Sequence, residues 1–118
     1  MTSSDGRFGK KERLVKTKDF GSVYKAGSSF PSGPFVLKTL KNTLSFNRIG
    51  FSVGARGIKS AARRNRIKRL FREAFRKNKG AVRQGFDMVV VVRKDPAGNF
   101  SYAGAEKIFL QLAKKAGL

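Results

Sequence analysis

The chain has no cysteine, no histidine and no tryptophan, and only seven carboxylates among its 118 residues. Without thiol or imidazole, thiolate and histidine-based nucleophilic chemistry, zinc-finger ligation and a Ser-His-Asp triad are all excluded. The acids are Asp5, Glu12, Asp19, Glu73, Asp87, Asp95 and Glu106, and no two lie closer than seven residues in sequence. A two-metal nuclease needs several carboxylates converging on ions about 4 Å apart. So sparse a set argues against a metal site and against catalysis by the protein alone. No run approaches the roughly 18 apolar residues of a membrane span, and residues 1–13 lack the apolar stretch of a secretory signal. The absence of cysteine fits a cytoplasmic protein.

What is abundant is positive charge. Lys and Arg total 27, for a net charge of +20. A field of that size favours a polyanionic partner, and nucleic acid is the first expectation. Forty per cent of the residues are hydrophobic, with eleven Phe. That is enough for a core, and the length suits one domain.

Along the chain, residues 1–12 (MTSSDGRFGKKE) are small, polar and basic without periodicity and read as a flexible basic arm, with one domain over 13–118. Residues 13–27 read as a helix with Phe20, Val23 and Tyr24 at i, i+3, i+4, Asp19 near its positive end, and Gly27 as its stop. Pro31 and Pro34 mark 28–34 as a loop. Residues 35–40 (FVLKTL) and 48–53 (RIGFSV) read as strands, the second with Ile49, Phe51 and Val53 on one face. A helix over 60–77 carries the stripe Ile67, Leu70, Phe71, Ala74, Phe75. The run 86–93 (FDMVVVVR) suits a strand covered on both faces. A last helix over 101–116 aligns Ala105, Phe109, Leu112 and Ala116. The reading is α+β: a single sandwich of sheet and helices in the order α-β-β-β-α-β-α or close to it, the strands before the second helix counting as two or three.

The helix over 60–77 is the most informative segment. Positions 56–79 hold eleven Lys or Arg and one acid, Glu73. Repulsion of that density costs stability in isolation, and arginine suits planar phosphate contacts. At 100° per residue, Asn65, Lys68, Arg69, Arg72 and Arg76 spread over the face opposite the apolar stripe. Arg63 and Arg64 fall on the line of the stripe itself, one turn earlier. The N-terminal half of the helix is therefore expected to overhang the core and offer basic groups all round, with a positive dipole end for anions.

The stretch 48–76, RIGFSVGARGIKSAARRNRIKRLFREAFR, resembles the signature of the protein subunit of bacterial ribonuclease P. That family has an R-I/L-G-F-S-V strand, a basic loop, and a helix reading RNR-I/L-K-R-x-x-R-E-x-F-R. Arg64-Asn65-Arg66, then Ile67, Lys68, Arg69, Arg72, Glu73 and Phe75, fall in register. The likeness extends upstream through Arg13-Leu14, Asp19-Phe20, Val23-Tyr24, Gly27 and Phe35-Val36-Leu37, and downstream through Gly85-Phe86-Asp87, the valines after it and Ser101-Tyr102. The resemblance implies a central mixed sheet with an uncommon left-handed βαβ crossover, where general rules favour a right-handed one. It also implies a function: assisting a catalytic RNA that removes the 5′ leader from precursor tRNA by Mg²⁺-dependent hydrolysis, the Mg²⁺ bound mainly by the RNA.

By position in that motif, Arg64, Asn65, Arg66, Lys68, Arg69 and Arg72 are expected to meet the catalytic RNA, with Arg56, Lys59 and Arg63 in support. Phe20, Tyr24, Val36 and Lys38 are expected to form a cleft for the single-stranded leader, where aromatic rings give sequence-tolerant stacking. Phe20, Val23 and Tyr24 are also the core stripe of one helix, so each ring has two readings. Two departures stand out. Lys38 occupies a position where the family often has an aromatic, and the loop 54–60 (GARGIKS) is one residue longer than the usual pattern.

Partners are thus expected to be the catalytic RNA and precursor tRNA, with no membrane and no DNA. The rival readings are a small basic ribosomal protein, a DNA-binding helical module and a stand-alone nuclease. The second lacks a helix at helix-turn-helix spacing and heptads for dimerisation. The third lacks carboxylates.

Overall fold

Residues 9–96, 98 and 100–118 are described by the computed structural model. Their elements run α1 (Thr17–Ala26), β1 (Ser28–Ser32), β2 (Phe35–Lys41), β3 (Arg48–Val53), α2 (Ala61–Lys77), β4 (Phe86–Val92) and α3 (Tyr102–Lys115). This is the α-β-β-β-α-β-α order expected from sequence, with three strands before α2 where the sequence located two. The sheet order is β1-β2-β4-β3; β2 pairs antiparallel with β1 on one side and with β4 on the other, and β3 lies parallel to β4. The parallel pair is joined through α2, since parallel neighbours need a long crossover.

The two faces of the sheet are covered unequally. On one face Leu37, Met88 and Val90 pack with Ile67, Phe71 and Phe75 of α2 and with Phe109 and Leu112 of α3. The stripes read from α2 and α3 face this core, with Leu70 and Ala116 only partly buried at their margins and Ala113 buried in addition. On the other face a small cluster of Leu14, Val23 and Val89 sits under α1, with Phe20, Leu40 and Val91 at its margin. β4 lies between the two layers, which explains its unbroken run of valines.

Three local readings change. The segment 28–34, expected as a loop, contains β1, paired from Ser28↔Thr39 to Ser32↔Phe35. Pro31 is tolerated because β1 is an edge strand, where a missing ladder donor costs little. Its carbonyl accepts a hydrogen bond from Lys115 Nζ at 2.8 Å. Gly33, at φ +57°, makes the tight turn into β2.

Residues 13–16, expected as helix, are extended, and the Leu14 N–H donates to the Ile49 carbonyl at 2.9 Å. Gly27 ends α1, but with extended backbone and not the left-handed conformation of a typical glycine stop. A side chain there would strike the Val23 and Thr39 carbonyls, so close approach to β2 demands the glycine.

Of the expected arm, residues 1–8 lie outside the described residues. Residues 9–12 are folded: Lys10–Glu12 form a 3₁₀ turn, and the buried Glu12 accepts from Lys79 Nζ at 2.9 Å and from the Gly9 N–H at 3.0 Å. The domain proper therefore begins before residue 13.

At the far end of α3 the Tyr102 hydroxyl donates to Glu106 Oε2 at 2.6 Å, and Lys77 Nζ stands 4.7 Å from the centre of its ring. Burial, and then the Glu106 carboxylate, push the phenol from 10.0 up to about 12. A raised folded value means that stability from this group is fully present below pH 10 and is lost as pH rises from there towards 12. In a Tyr24→Phe protein, which leaves Tyr102 as the one tyrosine, the tyrosinate absorbance should rise well above the pH at which it rises in denaturant. Coincident titrations would contradict this arrangement.

Candidate nucleic-acid interface

Burial of Ile67, Phe71, Ala74 and Phe75 fixes the rotation of α2, and the Ser60 hydroxyl caps it by accepting the Arg63 N–H at 3.2 Å. With that rotation set, the motif residues divide into three groups. Asn65, Arg66 and Arg69 are exposed. Lys68 and Arg72 are half-buried and turn towards the edge of β3, where the Arg72 guanidinium lies 5.5 Å from the centre of the Phe51 ring.

The third group corrects the expectation that the N-terminal half of α2 offers basic groups all round. Arg63 and Arg64 fold back on the loops that flank the helix. Arg63 Nε donates to both Asp95 oxygens, at 2.7 and 2.8 Å, and its NH2 to the Gly98 carbonyl at 3.3 Å. Arg64 NH1 donates to the Ile58 and Lys59 carbonyls at 2.6 and 3.1 Å. The consequences differ. Asp95 neutralises the charge of Arg63, whereas carbonyls leave that of Arg64 intact and orient its remaining donors.

The loop 54–60 has two anchors. Ile58 is buried in the main core, and Gly57 lies so close to the Arg93 carbonyl that a Cβ would collide with it. Between and beside these anchors, Arg56 and Lys59 are exposed. The extra residue of this loop therefore lies in a segment held at two points.

Most carboxylates are committed away from this face. Arg48 meets Asp87 with two hydrogen bonds, Nε to Oδ1 at 2.8 Å and NH2 to Oδ2 at 2.6 Å, and reaches Asp19 at 3.4 Å. The hydrogen bond to Asp87 is the main reason the guanidinium pKa of Arg48 is raised. Glu73 pairs with Arg76 one turn along α2, NH2 to Oε2 at 2.6 Å, and that hydrogen bond is the chief cause holding the Glu73 carboxyl below its ordinary value. Asn78, and then Tyr102, do the same for Glu106. Among the described residues no three such side chains gather as a metal site would require.

A second surface lies where α1 crosses the sheet. Val23 is buried, Phe20 half-buried and Tyr24 44% exposed, so the i, i+3, i+4 stripe splits between core and surface. Phe20 rests on Gly50, where a Cβ would stand 2.8 Å from the Leu14 carbonyl and press on the ring. Tyr24 stands over β2 with Lys38 Nζ 5.3 Å from its ring centre, and the same ammonium donates to Ser29 Oγ at 2.9 Å. Three of the four expected cleft residues are thus at least partly accessible. Val36 is buried and belongs to the floor; its cross-strand partner Val91 and the next residue in that row, Ser52, are partly exposed.

Sequence reasoning missed a cavity of about 260 Å³ at the outer edge of β3, lined by residues that include Arg13, Leu14, Val15, Lys68 and Arg72. It also missed the Arg48–Asp87 and Arg63–Asp95 pairs, separated by 39 and 32 positions. No periodic pattern marks such contacts, since they depend on which strands become neighbours.

Residues 8–117 match the family model described as Ribonuclease P. The ribonuclease P protein component of Natranaerobius thermophilus is 37% identical over 105 residues, covering 89% of this chain and 90% of that one. The corresponding protein of Clostridium kluyveri is 42% identical over 108 residues, covering 90% and 95%. Among solved structures, the Thermotoga maritima RNase P protein in complex with 1-(4-fluorophenyl)-2-thiourea superposes with a TM-score of 0.79 at 37% identity, covering 87% of this chain and 98% of that one. The Staphylococcus aureus RNase P protein gives 0.78 at 31% identity, covering 89% and 94%.

Proposed function

Since the chain belongs to the ribonuclease P protein family, the RNA-binding component of a ribonucleoprotein that matures tRNA, we propose that α2 and the α1 cleft divide the two RNAs between them. The carrying observation is the exposed group Asn65, Arg66 and Arg69 beside Arg64, whose charge no carboxylate among the described residues offsets. This face takes the backbone of the catalytic RNA, with Arg56 and Lys59 extending it along the loop. Lys68 and Arg72 extend it towards β3. Arg63 acts indirectly, bracing the start of α2 through Asp95.

Phe20, Tyr24 and Lys38 take the single-stranded leader of precursor tRNA. Tyr24 offers a ring face for stacking, Lys38 a charge for the adjoining phosphate, and Phe20 the inner wall. Val36 supports them from below.

The chemistry of the family is Mg²⁺-dependent hydrolysis carried out by RNA. Among the described residues the carboxylates do not form a set suited to hold that ion: Asp19, Asp87, Glu12, Glu73 and Asp95 face cations, and Glu106 an amide and a phenol. We therefore assign Mg²⁺ to RNA phosphates, with the protein lowering the repulsion that opposes its binding. No helix among the described residues is long and apolar enough to cross a membrane, and we place the protein in the cytoplasm with its transcripts.

The test is cleavage of a 5′-extended precursor tRNA at low Mg²⁺ by ribonuclease P RNA, with and without this protein. Stimulation by the protein, with no cleavage by protein alone, is expected. No stimulation by a folded sample would favour the ribosomal reading, and cleavage by protein alone would contradict the assignment of the chemistry to RNA.

A further inference from the structure

The cavity at the outer edge of β3 is separate from the Tyr24–Lys38 end of the cleft and is built differently. We propose that it seats one unpaired nucleotide, with its phosphate on Lys68 and Arg72 and its base against the free main chain of Phe51. As a site for RNA this rests on the RNA-binding reading above.

Three observations support it. The first is the strand edge. β3 ends the sheet, and the Ile49 carbonyl points outward, since it accepts the Leu14 N–H. Two residues on, by strand alternation, the Phe51 N–H and carbonyl point the same way. The N-terminal segment covers the edge at Ile49 and leaves it by Val15, which is 73% exposed. Among the described residues no hydrogen bond from outside the sheet reaches the Phe51 main chain. An adjacent donor and acceptor are thus presented together, and every nucleobase carries a matching pair on its Watson–Crick edge.

The second is charge. Lys68 and Arg72 enter from α2 and Arg13 from the opposite side, and no carboxylate is among the lining residues. Burial, and then the charge of Arg13, lower the pKa of Arg72. A bound anion relieves that crowding, which argues for a phosphate-bearing ligand over a peptide strand added to the same edge.

The third is size and lining. Leu14, Val15, Phe20 and Ile49 supply apolar wall, and about 260 Å³ lies just below the roughly 300–1,000 Å³ of small-ligand sites. That space suits a single nucleotide, and a duplex cannot enter it.

The experiment is an amide NMR titration of the whole protein with adenosine 5′-monophosphate, ribose 5-phosphate and inorganic phosphate. Adenosine 5′-monophosphate should saturably shift the amides of residues 13–15, Gly50 and Phe51, binding about fivefold more tightly than ribose 5-phosphate through its base hydrogen bonds. Val15→Glu adds a carboxylate to the lining of a cavity that has none and should weaken binding of the phosphate-bearing ligand about tenfold, with Val15→Gln as its uncharged counterpart. Ala103→Glu, the same charge change on the exposed side of α3, should have less than about a twofold effect. Equal affinity for all three ligands, or shifts confined elsewhere, would overturn the proposal.

In the reconstituted holoenzyme, weakening by Val15→Glu of catalytic RNA binding assigns the nucleotide to that RNA. Weakening of precursor binding alone assigns it to the substrate, and weakening of neither overturns the proposal for RNA. The titration uses protein alone, so its outcome is independent of whether the protein stimulates cleavage.

Discussion

Replacing Arg66 and Arg69 together with glutamate should lower affinity for the catalytic RNA on the order of 10²- to 10³-fold and leave the fold intact. Both side chains are exposed, one turn apart on α2, and neither has a side-chain hydrogen bond or ion pair among the described residues. Surface changes of that kind usually stay within about 0.5 kcal/mol of stability. Here two acids also enter a stretch of eleven basic residues and one acid, which eases self-repulsion. On the RNA side, each charge-assisted contact is worth about 1.5–3 kcal/mol, so two give at least about 3 kcal/mol, or a hundredfold or more. The log–log dependence of affinity on salt should flatten by about 0.7–0.9 per lost phosphate contact. Unchanged affinity, or an unchanged salt slope, would remove this face from the interface.

Arg64 makes a less direct probe, although the RNR motif gives it equal prominence. Its NH1 holds the Ile58 and Lys59 carbonyls, so removing it strips two loop oxygens of a donor as well as removing a charge. Arg63 is further still from a simple reading, because its loss removes both the Arg63–Asp95 ion pair and a positive charge at the start of the helix. The Arg66–Arg69 pair separates RNA affinity from these structural effects.

Which features were legible in the sequence follows from their range. The stripes of α2 and α3 and the valine run of β4 depend on near neighbours, and each forms where its periodicity places it. β1 was not legible, because a proline-bearing segment is a strand only if it lies at a sheet edge, and edge position is set by the whole topology. The extended course of residues 13–16 was hidden for the same reason: Leu14 pairs with Ile49, 35 positions away. The candidate site was half legible. Helical geometry placed Asn65 and Arg69 on the free face of α2, but it could not show that Arg63 and Arg64 would find Asp95 and the loop carbonyls. Nor could it reveal the β3 edge cavity, whose lining comes from four separate segments. Phe20 and Tyr24 show the limit well. The spacing that marks them as one stripe says nothing of how wide the buried sector is, and α1 covers so little of the sheet that the sector ends between Val23 and Tyr24.

That boundary yields the second large effect. Tyr24→Ala should weaken holoenzyme binding of leader-bearing precursor by roughly tenfold or more and leave mature tRNA binding within about twofold, because one base stack is worth about 1–3 kcal/mol. Tyr24 is 44% exposed and its ring is flanked by the Lys38 ammonium, so truncation leaves the small core under α1 largely unchanged. Tyr24→Phe keeps the stacking face and should retain most of the affinity. Phe20→Ala should behave differently. Its half-buried ring packs on Gly50 and on the Leu14–Val23–Val89 cluster, so its loss costs roughly 1–3 kcal/mol of fold stability along with any effect on the leader. Lys38→Gln should reduce the log–log salt dependence of precursor binding by about 0.7, as expected for a lost phosphate contact to a single strand. Fluorescence titration of the reconstituted holoenzyme with precursor and mature tRNA, paired with denaturant unfolding of each variant, separates these cases. Equal weakening of precursor and mature tRNA by Tyr24→Ala would mean that the ring supports the fold or the catalytic RNA and does not receive the leader.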